Sequence, residues 1–191
     1  MTTTAFLAYL LIIGYFVVER SLRKGEQALS LQAGEADCNS SRIIWMSGLF
    51  SIFLVLLAPT LNAHGIGHWR NVYVGWLGLA LMLGGLIIRH WAAKTLGKFY
   101  TRTLQIIEGQ AIVEQAPYNL IRHPGYLGTF LMEIGAGLAV HNWIVLLALI
   151  VIGVTSRAYR IYVEETLLKT TFGARYEAYS IKTWRLLPFV F

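Results

Sequence analysis

The sequence is poor in charge and in cysteine. Of 191 residues, only 14% are Asp, Glu, Lys or Arg, while 56% are hydrophobic. A water-soluble domain carries roughly 25% charged and 45–50% apolar residues. There are too few polar side chains here to coat a globule in water, which excludes an ordinary soluble fold, a disordered chain and a collagen-like repeat. Cys38 is the single cysteine. One thiol makes no internal disulfide, CxxC redox pair or zinc knot, and the polar run around it marks an incidental thiol in a loop. A Walker loop, GxGxxG, a zinc signature and a Ser-His-Asp order are also missing. The leading Met-Thr-Thr-Thr lacks a basic n-region, and the apolar run behind it reaches Val18-Glu19-Arg20 without a small-residue cleavage site. That run is therefore expected to remain as a span rather than leave as a signal peptide. The final Pro-Phe-Val-Phe carries no prenylation or retention signal.

What is present is long apolar sequence. A helix crossing a bilayer needs about 20 mainly apolar residues. Runs at 5–18, 43–61, 72–91, 126–140 and 143–154 onward meet or approach that length. Gly75, Gly78, Gly84 and Gly85 in the third run offer faces for close helix packing. The fourth and fifth runs are separated only by His141-Asn142, so they are expected to form a tight antiparallel hairpin. All of the 16 Lys and Arg residues except Arg70 fall in the first connection, the third connection or the tail. The positive-inside rule then puts the N-terminus outside and those segments in the cytoplasm. The net charge of +6 thus describes a cytoplasmic membrane face, with no nucleic-acid partner implied. The expected fold is an all-α integral membrane protein of five transmembrane helices with a cytoplasmic pocket. It forms one domain over 1–191, with three spans in 1–96 and the chemistry in 97–191.

Two cytoplasmic segments stand out. Residues 97–125 are too long and polar for a turn. Short apolar stretches at 104–107 and 111–113 flank Glu108-Gly109-Gln110, suggesting a hairpin or an extended loop at the membrane surface. The fifth run continues through Arg157, Arg160, Glu164 and Leu167-Leu168, whose three- and four-residue steps put them on one helical face, with Glu165 adjoining Glu164. It is expected to stop near Phe172-Gly173, with Gly as the cap. Beyond it, Tyr176, Tyr179, Trp184, Phe189 and Phe191 mix with Lys182 and Arg185, as in a tail lying at headgroup level. Glu133 lies inside the fourth run, where carboxylates are either functional or paired. His64 and His68 have a metal-compatible spacing, but two glycines intervene and no third ligand is near, so no metal is expected.

The string Arg122-His123-Pro124-Gly125-Tyr126-Leu127-Gly128, then Glu164-Glu165 and Phe172-Gly173-x-x-Tyr176, resembles the isoprenylcysteine carboxyl methyltransferase family. Related membrane phospholipid N-methyltransferases share the pattern, which covers about 97–188. The chain's length resembles a compact prokaryotic member, of the methanogen type. The resemblance implies an integral membrane enzyme that uses S-adenosylmethionine, with S-adenosylhomocysteine as product and a lipophilic prenylcysteine-like substrate drawn from the bilayer. By family pattern Gln110, Ala111, Ile112, Val113, Tyr118, His123, Pro124, Gly125, Tyr126 and Glu164 would surround the cofactor. Arg160 sits where the family has an arginine for the substrate carboxylate.

The chemistry is consistent with those residues. A carboxylate acceptor is ionised at pH 7 and needs no general base. It does need a cation as water is stripped away, which suits the two-pronged guanidinium of Arg160. An amine acceptor would instead need a proton removed, making Glu165 or His123 base candidates. Plainer readings exist for both sites: Pro124 at a helix start, and Arg160 with Glu164 as an interfacial i,i+4 ion pair. Alternatives within the same architecture are a phospholipid or amine N-methyltransferase and a membrane reductase using NADPH.

Overall fold

The computed structural model describes residues 2–22 and 34–188. Arg23, Lys24, Phe189 and Phe191, which enter the charge and aromatic patterns above, lie outside them. The chain folds into α1 (Thr3–Leu22), α2 (Ser40–Ala63), α3 (Val72–Leu96), α4 (Pro124–Ala139), α5 (Trp143–Phe172) and α6 (Ala174–Lys182), with 3₁₀ turns at Glu35–Asp37 and Gly97–Phe99. Helix boundaries follow local chemistry. Asn71 caps α3 by accepting from the Tyr73 amide at 3.0 Å, and Asn142 caps α5 by accepting from the Val145 amide at 3.0 Å. Pro124 opens α4, where its missing N–H costs nothing. Gly173 ends α5 in the left-handed region, φ 52°, which favours glycine.

The chain is an integral membrane protein. By length and composition α1, α2, α5 and α3 extended through Phe99 are each able to cross a bilayer. The remaining apolar run is shorter than the rest: α4 has 16 residues, a rise of about 24 Å against a hydrocarbon core of about 30 Å. It is flanked on one side by α3 and on the other by α5, which it meets through the three-residue link 140–142.

Glycine sets the α3–α4 contact. Gly78 faces Gly135 and Ala139, and Gly85 faces Gly128 and Met132, so the helices run antiparallel with backbones almost touching. A Cβ on Gly78 would stand 2.6 Å from the Ala139 nitrogen. Gly75 is similarly close to Thr4 and His141. Gly84 departs from the expectation: a Cβ there would meet nothing within 4 Å. One residue along a helix is a rotation of about 100°, which turns Gly84 away from the contact.

At the end holding the 64–71 connection, polar groups tie the elements together. Thr4 Oγ1 lies 3.0 Å from His141 Nε2, and Asn142 Nδ2 donates to Asn62 Oδ1 and to the Ile66 carbonyl, each at 2.8 Å. Helix α2 ends at Ala63, so His64 and His68 do not share a helical face, and their Nδ1 atoms face different backbone carbonyls, those of Thr60 and His141. At the opposite end, 100–123 is irregular. Of the two forms expected around Glu108-Gly109-Gln110, a hairpin or an extended loop, the described residues take the extended loop. The turn itself forms, with the Gln110 amide donating to the Ile107 carbonyl at 2.9 Å. Its arms are too short to make a ladder without further strands.

Candidate active site

The segment entering α4 is fixed by the tail. Ile121 and Trp184 form an isolated parallel bridge. The Arg122 amide donates to the Trp184 carbonyl at 2.7 Å, and the His123 amide to the Arg185 carbonyl at 3.1 Å. The Arg122 guanidinium completes this latch, with Nε to Glu165 Oε1 at 2.8 Å and Nη1 to the Ser180 carbonyl at 2.7 Å and to the Thr183 carbonyl. Upstream, the Tyr118 hydroxyl donates to the Ala92 carbonyl at 3.3 Å, and the Tyr118 carbonyl accepts from Tyr179 at 2.7 Å. Burial pushes the Tyr118 hydroxyl well above the usual phenol range and the Tyr179 hydroxyl up to about 12, so both remain donors.

The two adjacent glutamates have different surroundings. Glu165 is buried and engaged by three side chains: Arg122, His123 Nε2 at 3.4 Å, and Arg185 Nε at 3.1 Å. Glu164 is more open, and its Oε2 accepts the Tyr126 hydroxyl proton at 2.6 Å. That hydroxyl in turn accepts from Arg160 Nε at 3.0 Å. The Tyr126 ring stacks on His123, with centroids 5.6 Å apart and planes inclined by 22°. Arg160 Nη1 points into a polar collar at the start of α2, made by Asp37 Oδ1 at 2.8 Å, Ser40 Oγ at 2.7 Å and Ser41 Oγ at 2.8 Å.

Ser41, Arg122, His123, Tyr126, Arg160 and Glu164 border a cavity of about 360 Å³, within the ~300–1,000 Å³ usual for small-molecule sites. Its mouth carries Tyr118, His123, Gly125, Tyr126, Arg160 and Glu164, and Gln110 also reaches it. Val55, Met82, Met132, Ala136 and Leu149 give it apolar wall, among which the Glu133–Arg157 pair also borders it. Seven of the expected site residues are therefore together. Ala111, Ile112, Val113, Pro124 and Glu165 do not border the cavity. Ala111 is exposed, Pro124 is packed at the start of α4, and Glu165 faces the latch.

Sequence reasoning missed a second ionic cluster on the same wall. Glu19 pairs with Arg89 Nε and accepts from Tyr100 at 2.8 and 3.0 Å, while Arg89 Nη1 donates to the Gly125 carbonyl at 3.0 Å. An acid and a base within apolar helices were the available signal. Glu133 has the paired fate: both its oxygens accept from Arg157 at 2.9 Å. Asp37 was also missed.

The fold is that of an intramembrane methyltransferase. The chain superimposes on the structure of the eukaryotic intramembrane Ras methyltransferase ICMT (isoprenylcysteine carboxyl methyltransferase) with a TM-score of 0.65 at 20% identity, covering 97% of this chain and 63% of that one. The chain belongs to the phospholipid methyltransferase family, which it matches over residues 73–175. A probable protein-S-isoprenylcysteine O-methyltransferase of Oryza sativa subsp. indica is 32% identical over 137 residues, 71% of this chain and 68% of the relative. Protein-S-isoprenylcysteine O-methyltransferase B of Arabidopsis thaliana is 31% identical over 125 residues, 64% of this chain and 62% of the relative. The reductase alternative does not survive this family assignment.

Proposed function

We propose that this protein transfers a methyl group from S-adenosylmethionine to the carboxylate of a lipid-anchored, prenylcysteine-like molecule at the cytoplasmic face of the membrane. One observation carries the reading: the Arg160 guanidinium and a set of apolar side chains, Val55, Met82, Met132, Ala136 and Leu149, border a single cavity. An amphipathic acceptor with a carboxylate head and a hydrocarbon tail matches those surroundings. Arg160 commits Nε and Nη1 within the protein and has no partner for Nη2 among the described residues, leaving a donor for an acceptor oxygen. The apolar walls take the tail.

The residues at the mouth suit the cofactor. Aromatic faces of Tyr118 and Tyr126 and the carboxylate of Glu164 border one space, offering surface for a purine and an anion for an ammonium or ribose hydroxyls. When bound, the cofactor supplies an electrophilic methyl on a cationic sulphur. The chain's part is to hold and align: Glu164 orients the donor, Arg160 the acceptor, and the cavity excludes water, so positioning carries the rate. Three donors keep Glu165 engaged with Arg122, His123 and Arg185, so its role here is to hold His123 and the latch rather than to take a proton.

Five crossings, with α4 the short one, put the N-terminus outside. The supporting pattern is that Arg42, Lys94, Arg122 and Lys169 gather at one end of the bundle, while the 64–71 and 140–142 connections at the other end carry only Arg70. The acceptor enters laterally between α1 and α2. These helices meet near Tyr9, whose hydroxyl donates to the Val55 carbonyl at 3.3 Å, and border the cavity with the partly exposed Phe16 and Trp45 farther along.

The test is direct. In detergent the protein is expected to bind S-adenosylhomocysteine by calorimetry, and to move labelled methyl from S-adenosylmethionine to farnesylcysteine. Absence of binding heat overturns the cofactor reading. Label passing to phosphatidylethanolamine and not to farnesylcysteine selects the amine alternative, in which His123 or Glu165 takes the proton.

A further inference from the structure

Arg160 has two anchors. On its own helix Glu164, one turn on, makes a long ion pair with Nε at 3.8 Å. The second anchor comes from more than 100 positions earlier in the chain. Asp37 Oδ1 accepts from Arg160 Nη1, and the same carboxylate accepts from the Ser40 hydroxyl at 3.1 Å, the Ser41 hydroxyl at 2.6 Å and the Ser41 amide at 3.1 Å. Asp37 thereby also orients the two hydroxyls that receive Nη1.

This collar is costly to build. Asp37 is 2% exposed and Ser40 fully buried, and a buried carboxylate is tolerated only when its oxygens are satisfied. Burial pushes the Asp37 carboxyl up, but the Ser41 hydroxyl and amide and the Arg160 guanidinium outweigh it and hold it below its usual range. The two residues joining Asp37 to α2, Cys38 (φ 46°) and Asn39 (φ 60°), both adopt the left-handed conformation that side chains disfavour. Such strain persists where the surroundings over-determine it, commonly at functional sites.

Resting on the reading of Arg160 as the cation for the acceptor, we infer that Asp37 is a positioning residue for methyl transfer. With Ser40 and Ser41 it fixes the Arg160 guanidinium through Nη1, so that the remaining donor is presented to the acceptor in one orientation. Without Asp37 the guanidinium is free to turn, and the acceptor loses a fixed cation.

The experiment uses the full chain in detergent and the variants D37A and D37N. Affinity for S-adenosylhomocysteine comes from calorimetry, and kcat and KM from farnesylcysteine titration. D37A is expected to raise the acceptor KM about tenfold, the scale of one charge-assisted hydrogen bond, with kcat and S-adenosylhomocysteine affinity within twofold of wild type. D37N, whose amide oxygen still accepts from the serines, is expected to raise KM by a smaller factor. An unchanged KM in D37A overturns the inference, and so does a lower KM, which would make Asp37 a competitor of the acceptor. Loss of cofactor affinity in step with KM also overturns it, reducing Asp37 to a tie between α2 and α5. A wild-type protein that does not methylate farnesylcysteine sinks the parent reading and this inference with it. Failure in D37A against an active wild type sinks the inference alone.

Discussion

Replacing Tyr126 by Phe removes one oxygen and little else. The ring keeps its stacking on His123, and the volume is nearly conserved, so no cavity opens. The lost hydroxyl accepts from Arg160 at 3.0 Å and donates to Glu164 at 2.6 Å. Hydrogen bonds to charged groups are worth about 1.5–3 kcal/mol each. Part of that returns, because Arg160 and Glu164, 3.8 Å apart, are then free to pair directly. A net loss of about 2 kcal/mol follows, or about 30-fold in kcat/KM. Initial rates with labelled S-adenosylmethionine and varied farnesylcysteine measure it, with calorimetry of S-adenosylhomocysteine alongside. Both ligands should suffer, since the hydroxyl joins the residues assigned to each. A Y126F enzyme within threefold of wild type would refute the idea that this relay holds Arg160 and Glu164 in working geometry.

The remaining predictions concern stability. Gly85→Ala should cost about 2 kcal/mol, because its Cβ would stand 3.0 Å from the Met132 nitrogen and press on the Gly128 carbonyl. Gly84→Ala, in open space, should gain about 0.5 kcal/mol, and thermal midpoints in detergent would separate the two. Arg122→Ala leaves Glu165 undercompensated and frees the tail carbonyls; a loss of about 3 kcal/mol should accompany faster trypsin cleavage after Lys182 and Arg185. Asp37 has a folded pKa below its unfolded value of about 3.9, so its contribution is complete above that value and is lost as pH falls through the folded one. The stability gap between wild type and D37N should therefore stay constant from pH 8 to about 5 and shrink below about 4; a gap that widens on acidification would contradict this.

The sequence made the helices legible because apolar runs report burial or lipid contact directly. The link at His141-Asn142 and the stop at Gly173 were readable from local chemistry alone. At the site, His123, Tyr126, Arg160 and Glu164 were readable because a motif and a helical face both point to them. Asp37 was not, since it lies in a polar loop beside an unremarkable cysteine and acquires its meaning only when α2 packs on α5. Glu19, Arg89 and Tyr100 come from three separate segments, and no local pattern announces their meeting. Ala111, Ile112 and Val113 illustrate the converse: the family pattern puts the stretch 110–113 around the cofactor, and of it only Gln110 borders the cavity. Gly84 and Gly85 are equivalent in a sequence and opposite in space.

The latch between Ile121–His123 and Trp184–Arg185 bears on how the protein is made. Synthesis runs from the N-terminus, and α3, α4 and α5 are all synthesised before residue 180 exists. Until Thr183 and Trp184 are added, the Arg122 guanidinium lacks its carbonyl partners and the segment entering α4 lacks its bridge. The cavity is thus completed by residues that follow all of the apolar helices in the chain, and a protein cut after α5 would keep those helices with the site unlatched.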